Sequence, residues 1–286
     1  MKFETCLETN LLSNKKKKTM RKKSLLIYCT VLIGIGFLTI LNSCKSEVKE
    51  IERPNVLFVA FDDLNDWEGC LFGHPQTITP NINRLAEKGV LFTNAHCAGT
   101  MCCPSRASMI TGLRPTTTGV YKNTDTPNSL YKEKQTLNKH FKENGYFVAG
   151  AGKILHGFHY EENDWHEFQA KPKGKNIVGN RSNPNMENAT IVRGNIMWGS
   201  FSSPDSLTFD GSNADWVSER LNRDHDKPFF LACGIFRPHI PWFNPEKYFD
   251  RFPLEEIELP IVNEDDLDDV PLSGKNIAYS ITNFTM

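Results

Sequence analysis

Apolar residues along the chain fall into short runs separated by capped polar segments. After Pro54, residues 55–61 run Asn-Val-Leu-Phe-Val-Ala-Phe and stop at Asp62, the pattern of a strand buried on both faces of a parallel sheet. Thr79-Pro80 opens a helix, with Thr as cap and Pro in the first turn; Ile82, Leu85 and Ala86 share a face and Gly89 ends it. Val90–Phe92 reads as a short strand. Thr136 caps a helix running to Gly145, with Leu137 and Phe141 four apart, and Tyr146–Ala149 is strand-like. Ala214–Leu221 forms a further helix, and Pro228–Ile235 is a second buried strand. Strands alternating with helices predict an α/β fold, a mainly parallel sheet sandwiched by helices. Residues 170–212, rich in Gly, Asn, Ser and Pro, read as a long excursion near the site.

The amino terminus has a different character. Lys15–Lys18 and Arg21–Lys23 form a cationic block, followed by 17 uncharged residues from Leu25 to Leu41. A basic stretch, an apolar stretch and small residues describe an export signal. The ending Leu41-Asn42-Ser43-Cys44 resembles a bacterial lipoprotein signal, which implies a lipidated Cys44 and a periplasmic, outer-membrane or cell-surface location. A single transmembrane anchor is the alternative, at the short limit for spanning. Met20 opens a cleaner signal than Met1. The expected organisation is a signal over 1–43, a charged tether over 44–53 and a folded body over 54–286.

Net charge matters once the signal is set apart. Residues 44–286 carry 25 basic and 32 acidic side chains, so nucleic acid is not the expected partner. Eight cysteines in 286 residues are too sparse for a disulfide scaffold.

Ligands in open α/β sheets gather at the carboxyl ends of strands. Asp62-Asp63, then Lys153 and His156, then Arg237 and His239 each follow an apolar run. Two adjacent carboxylates call for a hard divalent ion such as Ca²⁺ or Mg²⁺, or are solvated loop residues. In Met101–Gly112, Pro104 and Gly112 bracket a short helix. Cys102 lies just before its N-terminus, where free N–H groups favour an anion, and Arg106 is one turn on. That set suits an anionic electrophile. A reactive thiol or a metal site stays open; Cys97 and His96 supply only part of a metal ligand set.

The run Cys102-x-Pro104-Ser105-Arg106 with Met109-Ile110-Thr111-Gly112 resembles the signature of formylglycine-dependent sulfatases, in the alkaline-phosphatase superfamily. Arg53–Leu57, Asp62-Asp63, Thr79–Ile82 and Phe92–Ala95 match the usual opening of that fold. Arg114-Pro115, Phe141–Tyr146, Gly152–His156, Pro228–Ala232 and Arg237–Pro241 look like the iduronate-2-sulfatase branch. The resemblance spans about residues 53–260.

The resemblance implies that Cys102 is oxidised to formylglycine by a maturation enzyme and, with Asp62 and Asp63, holds Ca²⁺ or Mg²⁺. It implies that Arg106 holds the aldehyde hydrate, that Lys153 and His156 bind sulfate oxygens, and that His239 contacts the sulfate or protonates the leaving alcohol. Cys103 packs. The substrate class it implies is a sulfated sugar or polysaccharide, with a uronate 2-O-sulfate the branch expectation.

Family members carry a second pair of cation ligands and another sulfate-binding Lys further on. After His239 the chain offers Asp265, Asp266, Asp268 and Asp269 without His. The chain therefore resembles a C-terminally truncated sulfatase and is expected to be inactive or poorly folded, with an open sheet edge. A phosphatase or phosphodiesterase of the same superfamily, or a lipid-anchored glycan-binding protein, are the competing readings. Phosphatases typically place Thr or Ser where Cys102 stands.

Overall fold

The computed structural model describes residue 20 and residues 53–158, 162–169, 190–193 and 196–282. The expected signal apart from residue 20, Cys44, the tether as far as Glu52, and the first part of the excursion (170–189) lie outside the described residues. The fold below falls within Arg53–Met286.

The described strands are β1 (Val56–Asp62), β2 (Phe147–Gly152), β3 (Glu167–Gln169), β4 (Thr190–Arg193), β5 (Ile196–Phe201), β6 (Phe229–Pro238) and β7 (Trp242–Pro245). The helices are α1 (Pro80–Lys88), α2 (Cys102–Thr111), α3 (Pro115–Thr118), α4 (Asn128–Glu133), α5 (Leu137–Glu143), α6 (Phe209–Leu221), α7 (Glu246–Phe249) and α8 (Leu272–Thr282). A four-stranded parallel sheet has the order β1-β6-β2-β3, with Val56 opposite Phe230 and Val148 opposite Phe230 on its other side. A second sheet of three strands has the order β4-β5-β7.

Strand alternation divides the core into two layers. Val148, Phe230 and Ala232 face the layer that holds Cys103, Ala107 and Ile110 of α2. Ala149, Ala151, Leu231 and Cys233 face the layer of Val217 from α6. Because β2 and β6 are covered on both faces, their sequences read as unbroken apolar runs. Phe141 of α5 stacks on Phe230 with ring centroids 4.5 Å apart and meets Tyr146 edge-on, which fastens α5 to the sheet.

Five sequence expectations are corrected. β1 is not buried on both faces. It lies at the sheet edge, Val56 and Phe58 pack inward, and Leu57, Val59 and Phe61 stand 42–48% exposed. The cause is placement: among the described residues, α6 covers that face over β2 and β6 only. α1 begins at Pro80 as expected, with Ile82 and Ala86 half-buried and Leu85 exposed. The Thr79 hydroxyl accepts from Gly69 N–H and donates to Asn83 in place of capping the helix. Val90–Phe92 forms no strand, because no described strand lies alongside to supply ladder partners; Val90 and Phe92 are exposed. The expected excursion contains β4, β5 and the start of α6. α6 begins five residues earlier than Ala214, where the Thr208 hydroxyl accepts from Gly211 N–H at 2.9 Å. Among the described residues no helix is long and apolar enough to cross a membrane.

The two faces of the sheet predict opposite mutational costs. Leu231→Ala, in the covered layer, is expected to cost about 2–5 kcal/mol. Leu57→Ser, on the open face of β1, is expected to cost under about 1 kcal/mol. Urea unfolding of both variants checks this; comparable losses would contradict the assignment of β1 to an open edge.

Candidate active site

The carboxyl ends of β1, β2 and β6 meet the N-terminus of α2. β1 ends in Asp62, Lys153 follows β2 directly and His239 follows β6. The register between β1 and β6 shifts after Phe61, which pairs with Ile235, so that Asp62 stands opposite Pro238. That irregularity sets Asp62 beside the residue preceding His239. β2 and β6 approach so closely here that neither Gly152 nor Gly234 has room for a side chain. A Cβ on Gly152 would lie 2.1 Å from the Gly234 carbonyl oxygen, and one on Gly234 2.2 Å from the Lys153 carbonyl carbon. Gly152 also has φ 76°, a conformation glycine adopts without strain. The Lys153 N–H then donates to Gly234 at 3.0 Å, which turns the lysine toward Asp62.

Asp62 is the hub. Its Oδ1 accepts from Arg106 at 2.9 Å and its Oδ2 from the Lys153 ammonium. All three side chains are 5–6% exposed. Burial opposes ionisation of Asp62, but the hydrogen bonds from Lys153 and Arg106 outweigh it and hold the carboxyl below the usual carboxylate range. Arg106 also donates to the carbonyls of Lys153 and Ile154, so it bolts α2 to the end of β2. Lys153 Nζ lies 4.6 Å from the centroid of the Phe236 ring. Arg106 and Lys153 are thus both committed to the protein's own groups in this structure.

Asp63 differs from its neighbour. It takes a left-handed conformation, φ 58°, and its side chain is 55% exposed. His239 Nε2 lies 3.9 Å from Asp62 Oδ2 and 3.8 Å from Asp63 Oδ2. His239 Nδ1 is bonded to the Ile240 carbonyl, which in the neutral ring leaves the lone pair on Nε2.

Cys102 is the first residue of α2, one position inside the helix the sequence predicts, with Met101 as N-cap. Gly112 ends α2 in the left-handed conformation. Burial, reinforced by the Asp62 carboxylate, pushes the Cys102 thiol up, so at neutral pH it is a protonated thiol and a weak nucleophile. Cys103 is buried; its N–H donates to Asn123 Oδ1 at 2.9 Å and its sulfur packs in the core. One ligand atom each from Asp62, Cys102 and His239 lie within 4.8 Å of one another. Asp62, Asp63, Cys102, Arg106, Asn123 and His239 line a cavity of about 700 Å³.

His156 lies outside that lining. Burial, with Lys153 nearby, pushes its imidazole down and keeps it neutral, and its buried Nδ1 makes no hydrogen bond. Asp210, at the start of α6, was not singled out in the sequence. Its carboxylate accepts from the Phe236 and Arg237 N–H groups at 2.7 and 2.9 Å and pins the end of β6 from which His239 hangs. Only the first-turn acid after Thr208 signals it, and most such acids are ordinary helix caps. Asn123, which secures the start of α2, carries no sequence signal. His225 bonds the Arg220 carbonyl at the exit of α6 and is remote from the chemistry, as its place before the strand suggests.

Residues 54–272 match the family model described as Sulfatase. A curated sulfatase of Formosa agariphila is 38% identical over 260 residues, covering 86% of this chain and 51% of its own length. Human iduronate 2-sulfatase is 29% identical over 252 residues, covering 82% of this chain and 43% of its own length. The chain thus spans about half the length of the curated relatives it matches. A solved phosphonate monoester hydrolase from Silicibacter pomeroyi overlays with TM-score 0.58 at 18% identity, over 79% of this chain and 50% of that one, a likeness of fold alone.

The two adjacent carboxylates are expected to differ sharply in structural weight. Asp62→Asn leaves Arg106 and Lys153 buried without a counter-charge, at a cost of about 3–5 kcal/mol. Asp63→Asn changes stability by about 0.5 kcal/mol or less. Urea unfolding in chelator-containing buffer distinguishes them; equal costs would contradict Asp62 as the hub.

Proposed function

We propose, since this chain belongs to the sulfatase family, that its cavity serves hydrolysis of the sulfate ester of a sulfated carbohydrate. The single observation that carries this reading is the convergence of Asp62, Cys102 and His239 within 4.8 Å at the strand ends. The activity is proposed of the whole protein, and the roles below of this chain's residues.

The reading of Cys102 is conversion to formylglycine by a maturation enzyme. As a protonated thiol it is a poor nucleophile, whereas an aldehyde hydrate offers two hydroxyls. One hydroxyl would attack sulfur and release its proton to water, and the alcohol would leave with a proton from the imidazolium form of His239. The second hydroxyl would then give its proton to the His239 Nε2 so freed, the carbonyl would reform and sulfate depart; water would restore the hydrate. Asp62 and Asp63 would hold a Ca²⁺ or Mg²⁺ ion. Their donor chemistry fits: Asp63 is accessible, and each Asp62 oxygen keeps a lone pair beyond its bond to Arg106 or Lys153. Such an ion, when bound, makes an oxygen nucleophile more acidic and screens sulfate charge. Arg106 and Lys153 keep Asp62 ionised for that task. Lys153 does not line the cavity and would meet sulfate oxygens only by exchanging its contact with Asp62. His156 would meet a sulfate oxygen only as an imidazolium, because in the neutral ring the bond to the Asn123 backbone leaves a lone pair on Nδ1.

The likeness to iduronate 2-sulfatase favours a uronate 2-O-sulfate as substrate. The Leu41–Cys44 sequence supports export and a lipid anchor on Cys44, which would put the cavity outside the cytoplasm with extracellular polysaccharide.

One experiment tests modification and anchoring together. The chain is produced in a bacterial host with a formylglycine-generating enzyme, and peptides from its membrane fraction are weighed. The Cys102 peptide is expected about 18 Da lighter than the thiol form, with Cys103 unchanged and a diacylglycerol on Cys44. In the whole protein, Lys153→Ala and His239→Ala each lower sulfate release from a 2-O-sulfated uronate about a hundredfold or more. An unconverted Cys102 in a maturation-competent host would overturn the catalytic reading; a lipid-free Cys44 would overturn the anchor.

A further inference from the structure

The same pocket has a different donor set before Cys102 is converted. We infer that the thiol form of this protein binds a thiophilic divalent ion of the zinc class, through Cys102 Sγ, His239 Nε2, Asp62 and Asp63. Binding itself is independent of the sulfatase reading; its consequence for conversion rests on it.

The donors come from three elements that the fold fixes separately: the end of β1, the start of α2 and the turn after β6. Asp62, Cys102 and His239 already present ligand atoms within 4.8 Å of one another. In a tetrahedral zinc centre, bond lengths of roughly 2.0–2.3 Å place the donor atoms roughly 3.3–3.6 Å apart. Asp63 Oδ2 is 3.8 Å from His239 Nε2, close to that spacing, and its exposed side chain is free to turn inward as a fourth donor. The remaining gap, from 4.8 Å to roughly 3.6 Å, would close on binding by side-chain adjustment.

The supporting contacts are also those of a metal site. The bond from His239 Nδ1 to the Ile240 carbonyl directs Nε2 toward the carboxylates, the usual arrangement behind a ligating histidine. Asp62 is fixed by Arg106 and Lys153 and retains a lone pair on each oxygen. Thiolate with imidazole selects zinc over calcium or magnesium. With the thiol protonated, Asp62 and Asp63 balance Arg106 and Lys153; a divalent ion that displaces the Cys102 proton gains a thiolate donor and one further negative charge. Replacing sulfur by oxygen at residue 102 removes the soft donor. Conversion would therefore change which ion the pocket prefers, and zinc bound beforehand would cover the atom the maturation enzyme must reach.

The test uses the chain made without a formylglycine-generating enzyme, stripped of metal and titrated with Co²⁺ as a spectroscopic probe, then with Zn²⁺. A thiolate-to-cobalt charge-transfer band in the near ultraviolet is expected, abolished by one equivalent of zinc. Cys102→Ser removes the band, Cys70→Ser, outside the cavity lining, keeps it, and His239→Ala weakens affinity about tenfold or more. In the unaltered chain, zinc slows alkylation of Cys102 by iodoacetamide about tenfold or more while half-buried Cys70, outside the cavity lining, reacts at an unchanged rate. A band that persists in Cys102→Ser, or no band at all, overturns the inference. Should Cys102→Ser fail to fold, alkylation decides: equal Cys102 rates with and without zinc overturn it. Neither readout depends on conversion or on sulfate release, so failure here leaves the catalytic reading standing, and the reverse.

Discussion

One buried carboxylate holds this end of the molecule together. Asp62 is flanked by Arg106, 44 residues away, and Lys153, 91 residues away, and all three are nearly sealed from solvent. A charge in that position without partners would be costly, and so would either cation. The three groups therefore have one satisfactory arrangement, in which β1, α2 and β2 meet. The glycines at 152 and 234 serve the same end, because the lysine turns inward only where β2 and β6 nearly touch. What the cavity displays follows from that joint: Asp63 on the solvent side, Cys102 on the first turn of α2, and His239 across from both.

The charge cluster gives Asp62 and Asp63 separate tasks. Asp62 is a fixed anion whose ionisation is secured by its neighbours; Asp63, exposed and in a left-handed turn, is free to adjust to whatever enters. His239 reaches toward both. The side chain at 102 then decides the pocket's chemistry: sulfur beside an imidazole favours soft ions, whereas oxygen in its place favours hard ones. The positions proposed for sulfate transfer and those proposed for a thiophilic ion are the same, separated by one atom's identity.

Much of this was legible in the amino-acid sequence. The apolar runs at Val56 and Phe229 are strands, the residues that follow them converge, and the Cys102–Gly112 helix stands where Pro104 and Gly112 imply. Less legible was anything set by what lies alongside. An apolar run such as Leu57-Phe58-Val59 looks the same whether one face or two are covered, so β1 was expected in the sheet interior and lies at an edge. Val90–Phe92 has strand composition but no described neighbour to pair with. Arg106 was expected to hold the aldehyde hydrate and Lys153 the sulfate; the sequence spacing carries no hint that both are already bound to Asp62. Asp210 and Asn123 act through backbone N–H groups, and such contacts leave no mark on residue spacing.

The most direct test of Asp62 as the organising charge is a double-mutant cycle between Asp62→Asn and Lys153→Met, followed by urea unfolding in metal-free buffer. The account predicts a coupling energy above about 2 kcal/mol, because the second substitution removes the stranded ammonium left by the first. Additive effects within about 0.5 kcal/mol would mean that the two groups stabilise the protein independently, and the central role given to their contact would be wrong.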